Sequence, residues 1–76
     1  MRCEGFSVKK LYRADQPFNA KAAISGRMRQ FQPGETFLCD PSQTGPIVVI
    51  EADEFLFLIE RPTFEACCRF QGGFAA

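Results

Sequence analysis

Apolar positions recur with a two-residue period in several short stretches of this chain, and in one stretch the alternation stops. Residues 55–59, Phe-Leu-Phe-Leu-Ile, are apolar without interruption and are fenced by Glu54 and Glu60. Alternate side chains of a strand point to opposite faces, so a strand here is apolar on both. Either Phe55, Phe57 and Ile59 or Leu56 and Leu58 must fill the interior, and the pattern alone does not choose between the sets. Residues 46–52, Pro-Ile-Val-Val-Ile-Glu-Ala, are rich in β-branched side chains and predict a partner strand. The two runs form a hairpin at the centre of the fold. Its acidic corner lacks the Asn-Gly pair of the tightest hairpins, which predicts a turn of three to five residues with Asp53 and Glu54 exposed.

Residues 5–14 read as a further strand. Phe6 and Val8 share a face and Leu11 falls out of phase with them, which predicts a β-bulge at Lys9 or Lys10. Asp15, Pro17 and Asn19 mark a loop. In residues 22–31 the two-residue period places Ile24, Gly26 and Met28 inside and Ser25, Arg27 and Arg29 outside, which favours a strand over a short helix. The stretch Gln-Pro-Gly-Glu at 32–35 signals a type II turn, because Gly34 accepts the positive φ of the third position. A short strand over 35–40 and a loop over 41–46 follow. From Arg61 the period changes. Pro62 suits a first helical turn, Glu65 an early position, Arg69 the last turn and Gly72–Gly73 a stop, which predicts a helix at about 62–70 with Phe64, Cys67 and Cys68 on one stripe and a loose tail at 72–76.

Four or five short strands with turns every 8–12 residues, then one helix, predict a mostly β fold in a single domain over residues 1–76. This succession of strand, Gln-Pro-Gly-Glu turn, hairpin and Arg-Pro-Thr-Phe-Glu helical turn resembles the small SH3-like barrel proteins over about residues 5–70. The resemblance implies a small antiparallel barrel of four or five strands with one short C-terminal helix. One enzyme family of similar size, the plasmid-borne type II dihydrofolate reductases, carries a Val-Gln-Ile-Tyr segment in a central pore. Residues 46–53 and 55–62 lack that segment, so no functional residue is carried over. The comparison implies only that an accessory or mobile-element protein this small can act as an oligomer.

Composition narrows the function classes. The chain has no histidine, which removes the usual general base, nucleophile activator and commonest metal ligand. No catalytic, cofactor-binding or metal-binding set emerges from the rest. Cys3, Cys39, Cys67 and Cys68 lack the spacing of metal pairs and read as reduced structural thiols. Glu51, Asp53 and Glu54 lack the alternating ligands and the glycine of a calcium loop. The start of the chain has no apolar signal region and no apolar run approaches a membrane span, so a cytoplasmic protein without membrane contact is expected.

Formal net charge is zero, but the signs are segregated. Residues 1–34 carry seven basic and two acidic side chains, and residues 35–76 carry two basic and seven acidic. The simpler reading is that the halves lie side by side and neutralise each other. The alternative is a polyanion partner, with Lys9, Tyr12, Arg13, Arg27 and Arg29 as a nucleic-acid surface. A 76-residue chain buries only about 60–65% of its unfolded surface, yet 46% of this one is apolar and nine residues are phenylalanine. Some of that surface is expected between subunits. The leading expectation is therefore a non-enzymatic, self-associating binding or accessory module, a dimer through Val48, Ile50, Leu56, Phe57 and Leu58. A nucleic-acid-binding barrel comes second and a pore-type oligomeric enzyme third.

Overall fold

The structure, a computed structural model, describes residues 9–72. It holds seven strands and one helix: β1 (Lys10–Ala14), β2 (Phe18–Ala22), β3 (Met28–Phe31), β4 (Thr36–Cys39), β5 (Ile47–Ala52), β6 (Phe55–Glu60), α1 (Arg61–Cys67) and β7 (Cys68–Gly72). All pairings are antiparallel, and the strands form one open sheet in the order β3-β2-β6-β5-β4-β1-β7. The fold is mostly β with one short helix, as the sequence predicts. The expected barrel of four or five strands is replaced by seven strands with two free ends, because β3 and β7 do not pair with each other.

Two strands lie where none was expected. Phe18–Ala22 follows a proline and contains Asn19, both turn signals, but Pro17 stands just outside the ladder and Phe18 and Ala20 alternate into the core. The strand expected over 22–31 forms only in its second part, as β3, while residues 23–27 make the hairpin turn between β2 and β3. Ala22 donates to Arg27 O (2.8 Å), Gly26 donates to Ala22 O (2.9 Å), and Gly26 takes φ 77°, which disfavours any residue with a side chain. Ile24 and Met28, expected inside, are 94% and 64% exposed. The C-terminal helix ends at Cys67, earlier than the expected 70. Cys68 turns extended (φ −118°, ψ 147°) and opens β7, whose hydrogen bonds to β1 outweigh one more helical turn. Arg69 still reaches back to the Glu65 carbonyl at the helix end (3.2 Å). Gly72 therefore belongs to a strand rather than to the tail, and the remainder of the expected tail lies outside the described residues.

Leu11 faces Gly72 and Tyr12 faces Phe70, so Gln71 of β7 is an extra residue in the β1–β7 ladder. The bulge expected at Lys9 or Lys10 rests on the phase of Phe6 and Val8, which lie outside the described residues. The turn at 32–35 forms as predicted: Glu35 donates to Gln32 O (3.1 Å), and Gly34 takes φ 96°.

Aromatic packing bends the open sheet onto itself. Phe18 and Phe31 stack 5.0 Å apart, Phe37 of β4 meets both edge-on (6.0 and 5.7 Å), and Phe57 meets Phe31 edge-on (5.4 Å). Three strands separate β3 from β4 in the sheet order, so these contacts require strong curvature. Val48, Ile50, Ile59, Cys39, Cys68, Ala14, Ala20 and Ala52 complete the core, with Phe64 and Cys67 of α1 packed against it.

The β5–β6 turn is tighter than expected. Ala52 pairs with Phe55, which leaves two turn residues, and both have positive φ, Asp53 at 54° and Glu54 at 71°. That is the type I′ pattern that matches strand twist, and it normally recruits Asn or Gly. The left-handed conformation costs a glutamate about 1–2 kcal/mol, part of which glycine recovers against its larger entropy loss. Glu54→Gly is therefore expected to stabilise the protein by about 0.5–1 kcal/mol, a rise in Tm of roughly 2–8 °C at this size. A thermal melt checks this, and a lowered Tm would show that the Glu54 side chain outweighs its backbone strain.

Candidate interaction face on the outer side of the sheet

Strand alternation decides between the two apolar sets of β6. Phe57 and Ile59 point into the core (5% and 3% exposed), while Leu56 and Leu58 point outward. Phe55, in the same phase as Phe57 and Ile59 but at the hairpin end, stays 61% exposed. The larger pair fills the interior because Phe57 completes the aromatic cluster with Phe31. On β5 the same alternation buries Val48 and Ile50 and turns Ile47 and Val49 outward.

Register assembles the outward residues into rows. Met28, Lys21, Leu58 and Val49 lie side by side across β3, β2, β6 and β5, and Leu56, Glu51, Leu38 and Leu11 form the next row across β6, β5, β4 and β1. Ile47 stands opposite Glu60. Met28, Ile47 and Leu58, with Asn19, Lys21, Glu60 and Thr63, line a shallow groove of about 520 Å³. A second cleft of about 350 Å³ lies between the two hairpin tips, among Ala22, Ile24, Ser25, Glu54, Phe55 and Leu56. The outer surface of β6 is thus a continuous apolar band with Lys21 and Glu60 set into it.

The interface set expected from sequence divides accordingly. Leu56 and Leu58 lie on this outer face, whereas Val48, Ile50 and Phe57 are core residues facing away from it. Ile47, Val49, Met28, Lys21 and Glu60 were missed. The signal was present in Ile47 and Val49, which share the phase of Glu51 in an alternating run and so had to lie opposite Val48 and Ile50.

The basic residues are not gathered into one ligand surface. Lys9 pairs with Glu51 (2.6 Å), Arg13 with Asp15 (3.1 Å), and Arg29 bridges Glu35 (2.8 Å) and Asp53 (2.6 Å). The Arg29 guanidinium also lies over the rings of Phe31 (4.2 Å) and Phe57 (5.5 Å), where it lids the core with its charge directed at the two carboxylates. Tyr12 is half-buried and packs against Phe37, Phe64 and Phe70. Arg27 sits exposed on the β2–β3 turn and has no ion-pair partner among the described residues. Asp15 also takes Arg69 (3.5 Å), which neutralises two arginines that the register sets opposite each other on β1 and β7. Several of these pairs join the basic first half of the sequence to the acidic second half.

The described residues contain no cluster of three or more Cys, Asp or Glu placed to hold a metal ion, and no helix among them is long and apolar enough to cross a membrane. Compared with known proteins, the chain matches no family model, no curated protein and no solved structure.

Cys39, Cys67 and Cys68 are free thiols. Burial is the main force that pushes Cys39 up to about 11 and Cys68 up to about 12, with the neighbouring Asp40 and Cys67 respectively adding to it. Protonated, buried sulfurs of this kind are poor nucleophiles. In native protein at pH 8, Cys39 and Cys68 are expected to resist a disulfide reagent until the chain unfolds, and fast native labelling of either would contradict their burial. The linkage has a definite sign. Above pH 9 the unfolded chain loses thiol protons that the folded chain keeps, so the contribution of these two thiols to stability is flat below pH 9 and falls as pH rises toward 11–12. Replacing both by Ala should remove most of that alkaline slope in a series of denaturant melts.

Proposed function

We propose that this protein is a non-enzymatic binding module that works as a self-associated unit, with the outer face of β5 and β6 as the surface that joins its copies. The observation that supports this reading is the apolar band of Ile47, Val49, Leu56, Leu58 and Met28, built on the most regular pairing of the sheet and not required by the core. Full burial of one large apolar side chain is worth roughly 1.5–3 kcal/mol. About ten half-exposed side chains from two copies would therefore contribute on the order of 10 kcal/mol, which falls within the roughly 4–15 kcal/mol that association costs in lost freedom. An unpartnered apolar face of this kind is uncommon on a monomer.

The nucleic-acid reading draws no such support, because three of its four cations are already neutralised within the fold. The enzymatic reading finds no acid–base or nucleophilic set among the described residues.

Sedimentation at micromolar concentration tests the proposal. Wild type is expected above monomer mass. Leu56→Asp is expected to yield a folded monomer, since its side chain leaves the core untouched. Phe57→Asp is expected to unfold the chain by placing a charge inside the aromatic cluster. Glu54→Lys, at the exposed turn, should alter neither mass nor fold. A wild-type monomer of 8.5 kDa that stays soluble and folded would overturn the reading.

A further inference from the structure

The apolar face carries two charges whose placement is self-complementary under a twofold axis, and this fixes how two copies would meet. Lys21 of β2 stands beside Leu58 of β6 in the register, and Glu60 lies two residues further along β6 on the same face. Both line the same groove with Met28, Ile47 and Leu58. The two charges are therefore diagonal neighbours, one strand and two residues apart. Neither has an ion-pair partner among the described residues, whereas Lys9, Arg13 and Arg29 each do. Glu60 is also the N-cap residue of α1, yet its side chain makes no capping hydrogen bond. No hydrogen bond among the described residues uses its carboxylate.

The geometry points to a homodimer in which Lys21 of each copy pairs with Glu60 of the other across a twofold axis lying in the plane of this face. The inference rests on the self-association proposed above and specifies its partner and arrangement. An axis drawn as the perpendicular bisector of the Lys21–Glu60 diagonal exchanges the two positions, so it creates two identical salt bridges at once. With strands about 4.8 Å apart and two residues spanning about 6.7 Å, Leu58 and Val49 both fall within about 2 Å of that axis. Each then packs against its own copy. Ile47, Met28 and Leu56 lie on either side and cover the rest of the band. The charges sit beside a desolvated apolar centre, where they contribute more to register and orientation than to affinity.

Charge reversal gives a test that a merely structural role would not pass. Lys21→Glu sets Glu against Glu at both contacts, and Glu60→Lys sets Lys against Lys. Each variant alone is expected to dimerise at least tenfold more weakly than wild type while keeping its circular dichroism spectrum. An equimolar mixture of the two is expected to form a heterodimer at close to wild-type affinity, visible by native mass spectrometry, because every contact in it is again Lys against Glu. If a reversal unfolds the chain, Lys21→Gln and Glu60→Gln carry the test, each with a dimer weakened several-fold. Wild-type affinity in both single variants, or a mixture that stays monomeric, would overturn this arrangement while leaving self-association by another geometry standing. A monomeric wild type would instead overturn the underlying reading and this arrangement with it.

Discussion

The contact of Phe31 with Phe37 is what turns a row of strands into a closed core. These two rings belong to strands separated by three others in the hydrogen-bonded order, and they meet edge-on at 5.7 Å. Backbone pairing alone gives a twisted sheet with one face open to water, and a sheet of this size hides too little surface to stay folded that way. Bringing Phe18 and Phe31 over Phe37 and Phe57 makes the two halves of the sheet cover each other. The short turn at 32–35 makes this geometry accessible, since it carries the chain from β3 to β4 without a hydrogen-bonded ladder between them. Ala14 of β1 locks the turn in place, donating to Glu35 O (2.9 Å) and accepting from the Gly34 amide (2.8 Å).

Register and curvature together account for the charges. Lys9 meets Glu51 across β4 on the outer face, and Arg29 of β3 reaches Asp53 at the tip of the β5–β6 hairpin across the curved sheet. Arg29 is the clearest case: its side chain points inward with Phe31, but at the open end of the core, so the guanidinium lies on the rings and its donors reach the carboxylates of Glu35 and Asp53. Half-exposed ion pairs of this sort contribute little singly. Their effect is to remove most of the basic character that the N-terminal half of the sequence suggests.

Much of the central architecture was readable in the sequence because it is local. The β-branched run at 47–50, the apolar run at 55–59 and the Pro33–Gly34 pair each specify their own backbone. What could not be read depends on long-range partners. Phe18–Ala22 became a strand only through β3 and β6, and Cys68–Gly72 only through β1, so their turn and helix signals lost to ladder hydrogen bonds. The short turn at Asp53–Glu54 was masked because a glutamate at its second position does not favour positive φ; the register of the flanking strands imposes it. The candidate site shows the same division. That β6 is apolar on two faces was legible, but which face looks outward was decided by Phe57 meeting Phe31, a residue 26 positions away in the chain.

The way the sheet guards its backbone bears on how copies of it would meet. β4 ends at Cys39, so the upper part of β5 would present unpaired backbone groups along its edge. The Gln43 side chain occupies that place, accepting from the Val49 amide (2.9 Å) and donating to the Val49 carbonyl (2.8 Å), in the manner of a missing strand. Arg61 holds the loop there through the carbonyls of Gln43 (3.0 Å) and Gly45. Of the two true edges, β3 is only four residues long and β7 is broken by the extra residue Gln71. Short, bulged or side-chain-capped edges are the usual protection against strand-to-strand addition between molecules. Edges blunted in this way disfavour strand-to-strand addition, so the face-to-face pair proposed above would close at two copies about its twofold axis instead of growing along an edge.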